Sequence, residues 1–226
     1  DFCLSRGLGD VYKRQVCAIF LSALTAYAEG NIIEFRAGFS PSPKFDVTPS
    51  KKAKPSFEIG AEYRYAVTNN TEIGGGIAYQ NHGKLKKFTD IEDSFLRVEV
   101  QDTKLYNSVP LYLTAKYNFR NDSDFLPYIK ANLGYSFNSR SKSSNYKTYS
   151  KVTGAVLDEG KLKDFSVDNG VYYAVGAGMT YKGFNIDLFY QVNSADMKGT
   201  RYDGRTDSGS ANNRRITLGF GYQFGF

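Results

Sequence analysis

The 226-residue sequence predicts an all-β fold, an eight-stranded antiparallel up-and-down transmembrane β-barrel. Three observations predict this fold. From residue 31 onward, segments of about ten residues alternate apolar with polar or small side chains, which is the two-residue period of a β-strand. Eight such segments occur, and a single-chain closed barrel of this kind requires an even number. The connections between the segments are alternately long and short, as in barrels whose two ends face different compartments.

Each predicted strand has one apolar face and one polar face. In the first, Ile33 and Phe35 face one way, whereas Glu34 and Arg36 face the other. A tilted strand needs about 9–11 residues to cross the hydrocarbon layer. Because Pro110 cannot donate a ladder hydrogen bond, we expect a local β-bulge in the fourth strand. The predicted strands lie near 31–39, 55–67, 71–80, 104–119, 126–138, 170–181, 184–193 and 214–226.

The connections predict the topology. The three short ones contain Asn-Asn, Asn-Asp and Lys-Gly, residues that suit tight turns. We expect these turns and both termini on the periplasmic side, and the long loops on the opposite side. The short connections are 67–70, 120–124 and 182–183, and the long ones are 40–55, 81–103, 139–169 and 194–213.

Composition narrows the possible functions. The mean hydropathy of −0.43 resembles that of a soluble protein, but an alternating barrel wall averages to the same neutral value. The net charge of +6 is scattered along the chain, which argues against a nucleic-acid partner. Both cysteines, Cys3 and Cys17, precede residue 29, so the rest of the chain has no thiol for zinc, disulfides or catalysis. We expect no cofactor.

The N-terminal segment has the features of a targeting signal. Two basic residues precede an apolar run, and an Ala-x-Ala cleavage pattern ends it at Ala28. We therefore expect 1–28 to be a signal-peptide region and 29–226 to be the barrel domain. The stretch 1–15 ends in GDVYKRQ, which resembles translated sequencing-adapter sequence, so we expect it to carry no information on the fold.

Charged side chains are predicted on the inward face of the barrel, five acidic and five basic. An eight-stranded barrel is just wide enough for side chains to fill its interior, and unpaired buried charges are costly. We therefore predict a salt-bridged interior that plugs the barrel, with a narrow solute path as the alternative. The ten residues are Glu34, Arg36, Glu58, Glu62, Arg64, Glu72, Lys116, Lys130, Asp187 and Arg215.

His82 is the only histidine, and it lies in an Asn-His-Gly sequence just past the third strand. We expect a surface residue there. The alternative is a lipid A-modifying enzyme at the barrel rim, in which His82 acts with Ser94 or Ser108 and an acid. We predict no enzymatic activity.

Two basic clusters lie in the first two long loops. Solvated loops are one interpretation. The other is contact with polyanions, either lipopolysaccharide phosphates or acidic polymers of a host or the extracellular medium. The lysines concerned are Lys51, Lys52, Lys54, Lys84, Lys86 and Lys87.

Two internal segments and the C-terminus resemble a known family. VPLYLTAKYNF (109–119) and LPYIKANLGYSF (126–137) are similar to the paired central strands of opacity-type outer-membrane barrels, a family of small porin-like barrels. RITLGFGYQFGF resembles the barrel-assembly signal of that family. The resemblance implies that the assembly machinery recognises the terminal aromatic Phe226, together with Phe224 and Tyr222.

The resemblance and the alternation together predict a bacterial outer-membrane protein, secreted with removal of its signal peptide. Outer-membrane lipid and lipopolysaccharide are its expected surroundings. The predicted function is that of a structural, surface-exposed or adhesin-like barrel with a plugged interior. A small porin-like channel is the first alternative, and the rim enzyme is the second.

Overall fold

The computed structural model describes residues 30–46, 51–86, 88–92, 95–101, 104–140, 145–161, 165–200 and 206–225. None of these residues belongs to a helix that is long and apolar enough to span a membrane. The predicted signal region lies outside the described residues. In chain order the strands are β1 (Asn31–Ser40), β2 (Lys44–Asp46), β3 (Lys51–Lys52), β4 (Ser56–Ala66), β5 (Thr71–Asn81), β6 (Phe88–Glu92), β7 (Leu96–Gln101), β8 (Tyr106–Asn118), β9 (Phe125–Arg140), β10 (Asn145–Ser150), β11 (Val156–Lys161), β12 (Phe165–Val167), β13 (Gly170–Tyr181), β14 (Phe184–Asn193), β15 (Asp196–Thr200), β16 (Thr206–Ser210) and β17 (Asn212–Gly225).

Eight long strands of the described chain form one closed antiparallel barrel, which confirms the predicted fold. The strand order around the barrel is β1, β4, β5, β8, β9, β13, β14, β17. The ring closes where β17 pairs with β1, from Ile32 opposite Gly225 to Phe39 opposite Leu218. Closure matters because an unpaired backbone group in a hydrocarbon layer costs several kcal/mol.

The tightest turn joins β13 to β14. Tyr181 lies opposite Phe184, so only Lys182 and Gly183 form the connection. Their φ angles of 48° and 86° are both positive, as a two-residue type I′ turn requires. The barrel end that carries such short connections is called the turn end below, and the opposite end is called the loop end.

The polarity of the barrel is the reverse of that of a soluble protein. Apolar side chains point outward, and most inward side chains are polar or charged. On β14, Leu188 points outward and is 55% exposed, whereas the neighbouring Asp187 points inward and is 4% exposed. Outward positions of the other barrel strands also carry Leu, Ile, Val, Phe and Tyr. Such a continuous apolar exterior is stable only in an apolar surrounding.

The bulge predicted at Pro110 is wrong. β8 keeps one register with β9 from Tyr106 to Asn118, with Pro110 opposite Ser136. On the other side, the ladder between β8 and β5 is interrupted around Pro110 but resumes in the same register. The ring nitrogen of Pro110 cannot donate a hydrogen bond, so the ladder lacks one bond at this point. The strand nevertheless keeps its position.

The long connections contain further strands, which the sequence pattern does not indicate. β2 and β3 extend the barrel sheet next to β17. β6, β7, β10 and β11 form a separate four-stranded sheet from the second and third long connections. β12, β15 and β16 form a three-stranded sheet from the third and fourth.

Candidate functional site in the barrel interior and at its loop end

All ten charged residues predicted to face the interior lie inside the barrel, each at most 6% exposed. They alternate along their strands with outward apolar residues, so the period of the strand alone directs them inward. The contacts that follow connect them into one network from the turn end to the loop end.

Arg64 is the centre of the network near the turn end. Its guanidinium pairs with Glu34 at 2.7 Å, with Glu72 at 2.8 Å and with Glu62. Glu62 also accepts hydrogen bonds from Lys130 at 2.6 Å and from the Tyr112 hydroxyl at 3.0 Å. Each buried carboxylate therefore has a cationic partner.

Arg36 occupies the middle of the barrel. It pairs with Asp187 at 3.2 Å and lies 3.6 Å from Glu58. Its guanidinium carbon lies 4.7 Å from the centre of the Phe189 ring, which suits a cation–π contact. Asp187 also accepts a hydrogen bond from the Tyr128 hydroxyl at 2.9 Å.

Arg215 continues the network toward the loop end. Its Nη2 donates to Glu58 at 2.6 Å, and its Nε donates to the Gln191 amide oxygen at 2.7 Å. Gln191 and Gln80 each donate to Glu58 at 3.0 Å. Both oxygens of this carboxylate are thus occupied by donors from three other strands.

Lys116 is held mainly by neutral groups. Its ammonium donates to Gln223 Oε1 at 3.1 Å and to Thr180 Oγ1 at 3.4 Å. It also lies 4.2 Å from the centre of the Tyr128 ring. These contacts fill the turn end of the interior with side chains.

Inward glycines make room for this network. A Cβ added at Gly38 would lie 2.6 Å from Thr217 Cγ2 and 2.7 Å from Glu58 Cγ. A Cβ at Gly76 would lie 2.7 Å from Glu62 Cγ and 2.8 Å from the Tyr112 ring. The interior around these glycines is therefore already packed to contact distance.

An apolar cap covers the network at the loop end. Its members come from the first, second and fourth long connections and from the adjoining ends of the barrel strands. Phe45 and Tyr106 pack edge to face at 5.5 Å, and the Tyr106 hydroxyl donates to the Ala211 carbonyl oxygen at 2.8 Å. The cap consists of Phe45, Ala53, Leu85, Leu105, Tyr106, Ala195 and Ala211, all buried.

His82 lies under this cap and is fully buried, so the expectation of a surface residue is wrong. The cap rings cover it, with the Tyr106 ring centre 5.0 Å away. Its Nε2 is 2.7 Å from Ser108 Oγ, and its Nδ1 is 3.4 Å from Arg215 Nη1. Burial, with the nearby Arg215 and Lys104 cations, lowers the pKa of His82 well below its usual value. Ser94 lies outside the described residues.

The hydrogen-bond directions around His82 follow from Arg215. A guanidinium can only donate, so Nδ1 of His82 accepts and Nε2 carries the proton. Nε2 then donates to Ser108, whose hydroxyl donates to Asn138 Oδ1 at 2.6 Å. This chain fixes the imidazole in one tautomer.

Comparison with known proteins identifies the family. The family model described as the outer membrane protein beta-barrel domain matches residues 16–224. This protein belongs to that family. The small-barrel family that the sequence resembles is thereby confirmed, and an outer membrane is the location that the family indicates.

One relative and several solved barrels are similar to this family member. An uncharacterized protein of Pasteurella multocida (strain Pm70) is 31% identical over 186 residues, 78% of each chain. Neisserial surface protein A has a TM-score of 0.40 at 16% identity, covering 86% of this chain and 97% of its own. Ail of Yersinia pestis has a TM-score of 0.41 at 15% identity, and the match covers 87% of this chain and 100% of the Ail chain. OprG of Pseudomonas aeruginosa has a TM-score of 0.43 at 15% identity, and the match covers 88% of this chain and 98% of the OprG chain.

The loop end of this outer-membrane barrel carries a row of cations across four adjacent segments. Arg214 of β17 lies opposite Lys44 of β2, and Lys44 lies opposite Lys52 of β3. The Lys86 amide donates to the Lys52 carbonyl oxygen at 3.0 Å, so Lys86 lies beside Lys52. All four side chains are exposed. Arg214, Lys44, Lys52 and Lys86 are called the cation row below.

Two further lysines flank the cation row. Ala53 forms an isolated bridge with Leu85, and the Lys54 amide donates to the Lys84 carbonyl oxygen at 2.7 Å. This pairing joins the two basic loop clusters, which are far apart in the sequence. Burial and the nearby Lys84 ammonium lower the pKa of Lys104. Lys51 contributes the backbone of β3, and Lys87 lies outside the described residues.

The predicted assembly signal forms part of β17 at the turn end. Tyr222 and Phe224 point outward, and their ring centres lie 4.7 Å apart. Phe184 packs against Tyr222 at 4.8 Å, and Phe35 lies 6.4 Å from Phe224. Phe226 lies outside the described residues.

Proposed function

We propose that this outer-membrane barrel is a surface protein that acts through its loop end and conducts no solute through its interior. The observation that carries the proposal is the continuous packing of the interior. Ion-paired side chains fill the barrel from Arg64 to Arg215, and the apolar cap covers them. The side chains of this network contact partners on other strands, so a water path would require several buried ion pairs to separate together.

Electrical recording tests the closed interior. The full chain is reconstituted into planar lipid bilayers and studied at neutral pH over a range of voltages. We expect no steady conductance above the background of the bilayer. As a positive control for the recording, Arg36→Ala with Tyr112→Ala removes two interior side chains and is expected to raise the conductance. A steady, ion-selective current through the unmodified protein would show a porin-like channel instead.

The cation row supports binding of polyanions at the loop end. Like charges that lie directly opposite each other across strands are destabilising, and here neighbours in a row repeat this arrangement. An anionic polymer of regular charge spacing would offset that repulsion. Asp46 neutralises only one member, since it pairs with Arg214 at 2.6 Å. We infer that the loop end binds acidic extracellular polymers, in keeping with an adhesin-like role.

Binding to heparin tests the role of the cation row. The variant Lys44→Gln, Lys52→Gln, Lys86→Gln is compared with Lys151→Gln, Lys182→Gln, Lys198→Gln, which removes the same charge from other exposed positions. We expect the first variant to lose at least tenfold in affinity and the second to keep most of it. The affinity of the unmodified protein should fall as salt rises. Equal losses in both variants would show that net charge alone attracts the polymer.

The His82 geometry opposes a rim enzyme. A general base must take a proton from its serine, but here Nε2 already carries a proton and donates it to Ser108. Ser108 is also fully buried beneath the cap, without access for a lipid. We therefore propose a non-enzymatic protein, and unchanged lipid A in cells that produce it is the expected result.

The C-terminal aromatic residues support a proposal about assembly. Tyr222 and Phe224 face outward on the strand that closes the barrel. We propose that the barrel-assembly machinery recognises this strand together with Phe226. Deletion of Phe226 is expected to lower the amount of folded barrel in the outer membrane without lowering secretion.

A further inference from the structure

Exposed large apolar side chains occur in two places in the described part of the chain. With four exceptions they lie on the eight barrel strands or in the short turns that join them, as expected of a membrane-facing exterior. The exceptions are Phe95, Val152, Val156 and Leu157, each between 48% and 77% exposed. These four residues belong to the sheet of β6, β7, β10 and β11 or to its turns, and they are called the apolar tip below.

Two neighbouring turns bring the apolar tip together. Phe95 lies in the turn between β6 and β7, and Val152 lies in the turn between β10 and β11. β10 pairs with β7 so that Ser150 lies opposite Leu96. The Lys151 amide then donates to the Phe95 carbonyl oxygen at 3.0 Å. The two turns are therefore adjacent, although they come from different long connections.

An irregularity in β11 adds to the exposed apolar surface. Thr148 lies opposite Asp158 and Tyr149 lies opposite Val156, so Leu157 is one extra residue on β11. Such a bulge interrupts the alternation of a strand. Val156 and Leu157 follow each other in the sequence and are nevertheless both exposed.

The apolar tip lies at the end of its sheet away from the barrel. β6 begins three residues after Leu85, and β7 ends four residues before Leu105, and both leucines belong to the apolar cap over the barrel. The turn that contains Phe95 is therefore the part of this segment farthest from the cap. The strand from Leu96 to Gln101 spans about 17 Å. This position makes the apolar tip available to a surface outside the protein's own membrane.

We propose that the apolar tip inserts into the lipid surface of another cell, at the depth of the headgroups and the first acyl carbons. Insertion transfers its exposed Phe, Val and Leu side chains from water to hydrocarbon, which is favourable. The exposed Lys151 of the same turn suits headgroup level, because a lysine packs its carbons against apolar neighbours and keeps its charge in a polar layer. Tyr149 is next to the tip, and tyrosine is enriched at membrane–water interfaces. This activity is separate from polyanion binding by the cation row.

A protein partner fits the apolar tip less well than a lipid surface. A stable protein–protein interface takes about 20–30 residues from each partner, whereas the tip offers four large apolar side chains at the ends of two turns. A two-fold contact with a second copy would bury only the same four side chains of each chain. Lipid needs no matching shape, because acyl chains move to surround an inserted side chain.

Flotation with lipid vesicles tests the proposal. The full chain in nanodiscs is mixed with phosphatidylcholine vesicles, which have no net charge and so do not attract the cation row. The variant Phe95→Ser, Val152→Ser is compared with Phe119→Ser, Val67→Ser, which makes the same two changes at exposed positions of the turn end. We expect the unmodified protein and the turn-end variant to float with the vesicles. The tip variant should partition at least fivefold more weakly, and discs without protein give the background.

Further measurements separate the outcomes. Val156→Ser, Leu157→Ser repeats the test on β11 should the first tip variant fail to fold. Heparin binding should be the same in the tip variants and the unmodified protein, because the cation row is intact. Equal flotation of the tip and turn-end variants, or no flotation of the unmodified protein, would overturn the proposal.

Two other partners would give different results. Binding to intact cells that depends on the apolar tip, without flotation on protein-free vesicles, would show a protein partner and overturn the proposal. Clustering of the protein-containing discs in the absence of vesicles, abolished in Phe95→Ser, Val152→Ser, would show that a second copy covers the tip and would also overturn it.

Discussion

Individual charged residues inside the barrel determine whether its interior is a plug or a path. Arg64 contacts three carboxylates, and Arg36 lies near Asp187 and Glu58, which come from two other strands. The strand period predicts that these side chains point inward. It does not predict which acid meets which base, because partners such as Arg36 and Asp187 are 151 residues apart and meet only once the barrel has closed.

Removing Arg64 should strongly destabilise the barrel. Arg64→Met leaves Glu34 and Glu72 buried with less positive charge, so we expect the free energy of unfolding to fall by about 3–5 kcal/mol. Urea titration of the protein folded in lipid vesicles measures it. Lys198→Met is the control, because it breaks an exposed pair with Asp168 at 2.6 Å and should change little. Similar losses in both variants would contradict a tightly coupled interior.

Acidification should loosen the cap above His82. Burial and the Arg215 and Lys104 cations lower the pKa of His82 in the folded protein. The open state, with an ordinary histidine pKa of about 6.5, then binds more protons, so the cap loses stability as pH falls below about 6.5.

Hydrogen exchange measures this effect. Amide protection in the cap, corrected for intrinsic exchange rates, should decrease between pH 7 and pH 5 in the unmodified protein. His82→Gln keeps a side chain that can accept from Arg215 and donate to Ser108 without titrating. Protection in that variant should depend less on pH, and the same dependence in both proteins would show that His82 is not the titrating group.

At the scale of the element, local patterns account for the barrel strands but not for the loops. The predicted strand near 184–193 is β14, Phe184–Asn193, because alternation and a Lys-Gly turn are both local signals. The strands within the long connections pair with distant segments, as when Ala53 meets Leu85. These strands are only two to six residues long, so no extended period marks them. The same long-range pairing brings Lys52 and Lys86 from the two basic loop clusters into one row with Lys44 and Arg214.

The turn between β13 and β14 should be sensitive to a single methyl group. Gly183 has a φ of 86°, where an L-residue costs about 1–2 kcal/mol. Gly183→Ala should lower the free energy of unfolding by about that amount, measured by urea titration in vesicles. Gly209→Ala is a matched control, since its Cβ would meet nothing within 4 Å and its φ is not in the left-handed region. Equal stability of the two variants would contradict the type I′ turn.

For the whole molecule, one arrangement connects the fold, the closed interior and the surfaces that are left for partners. Apolar side chains cover the outside of the barrel and charges fill the inside. This polarity makes the exterior suitable for hydrocarbon, leaves ion pairs to fill the lumen, and restricts soluble partners to the two ends of the barrel. The sequence predicts the arrangement because the strand period is local, whereas the cross-strand neighbours of each residue depend on which strands pair in the folded barrel, as when Gly75 lies between Tyr63 and Leu113.

Fluorescence quenching tests this inside-out arrangement most directly. The chain has no tryptophan, so a single introduced indole reports on its own position. Leu188→Trp and Phe189→Trp differ by one residue on β14 and should face lipid and interior respectively. In vesicles of brominated lipid, the emission of the Leu188→Trp variant is predicted to be strongly quenched and that of the Phe189→Trp variant nearly unaffected. Equal quenching in both variants, or stronger quenching in Phe189→Trp, would contradict the account.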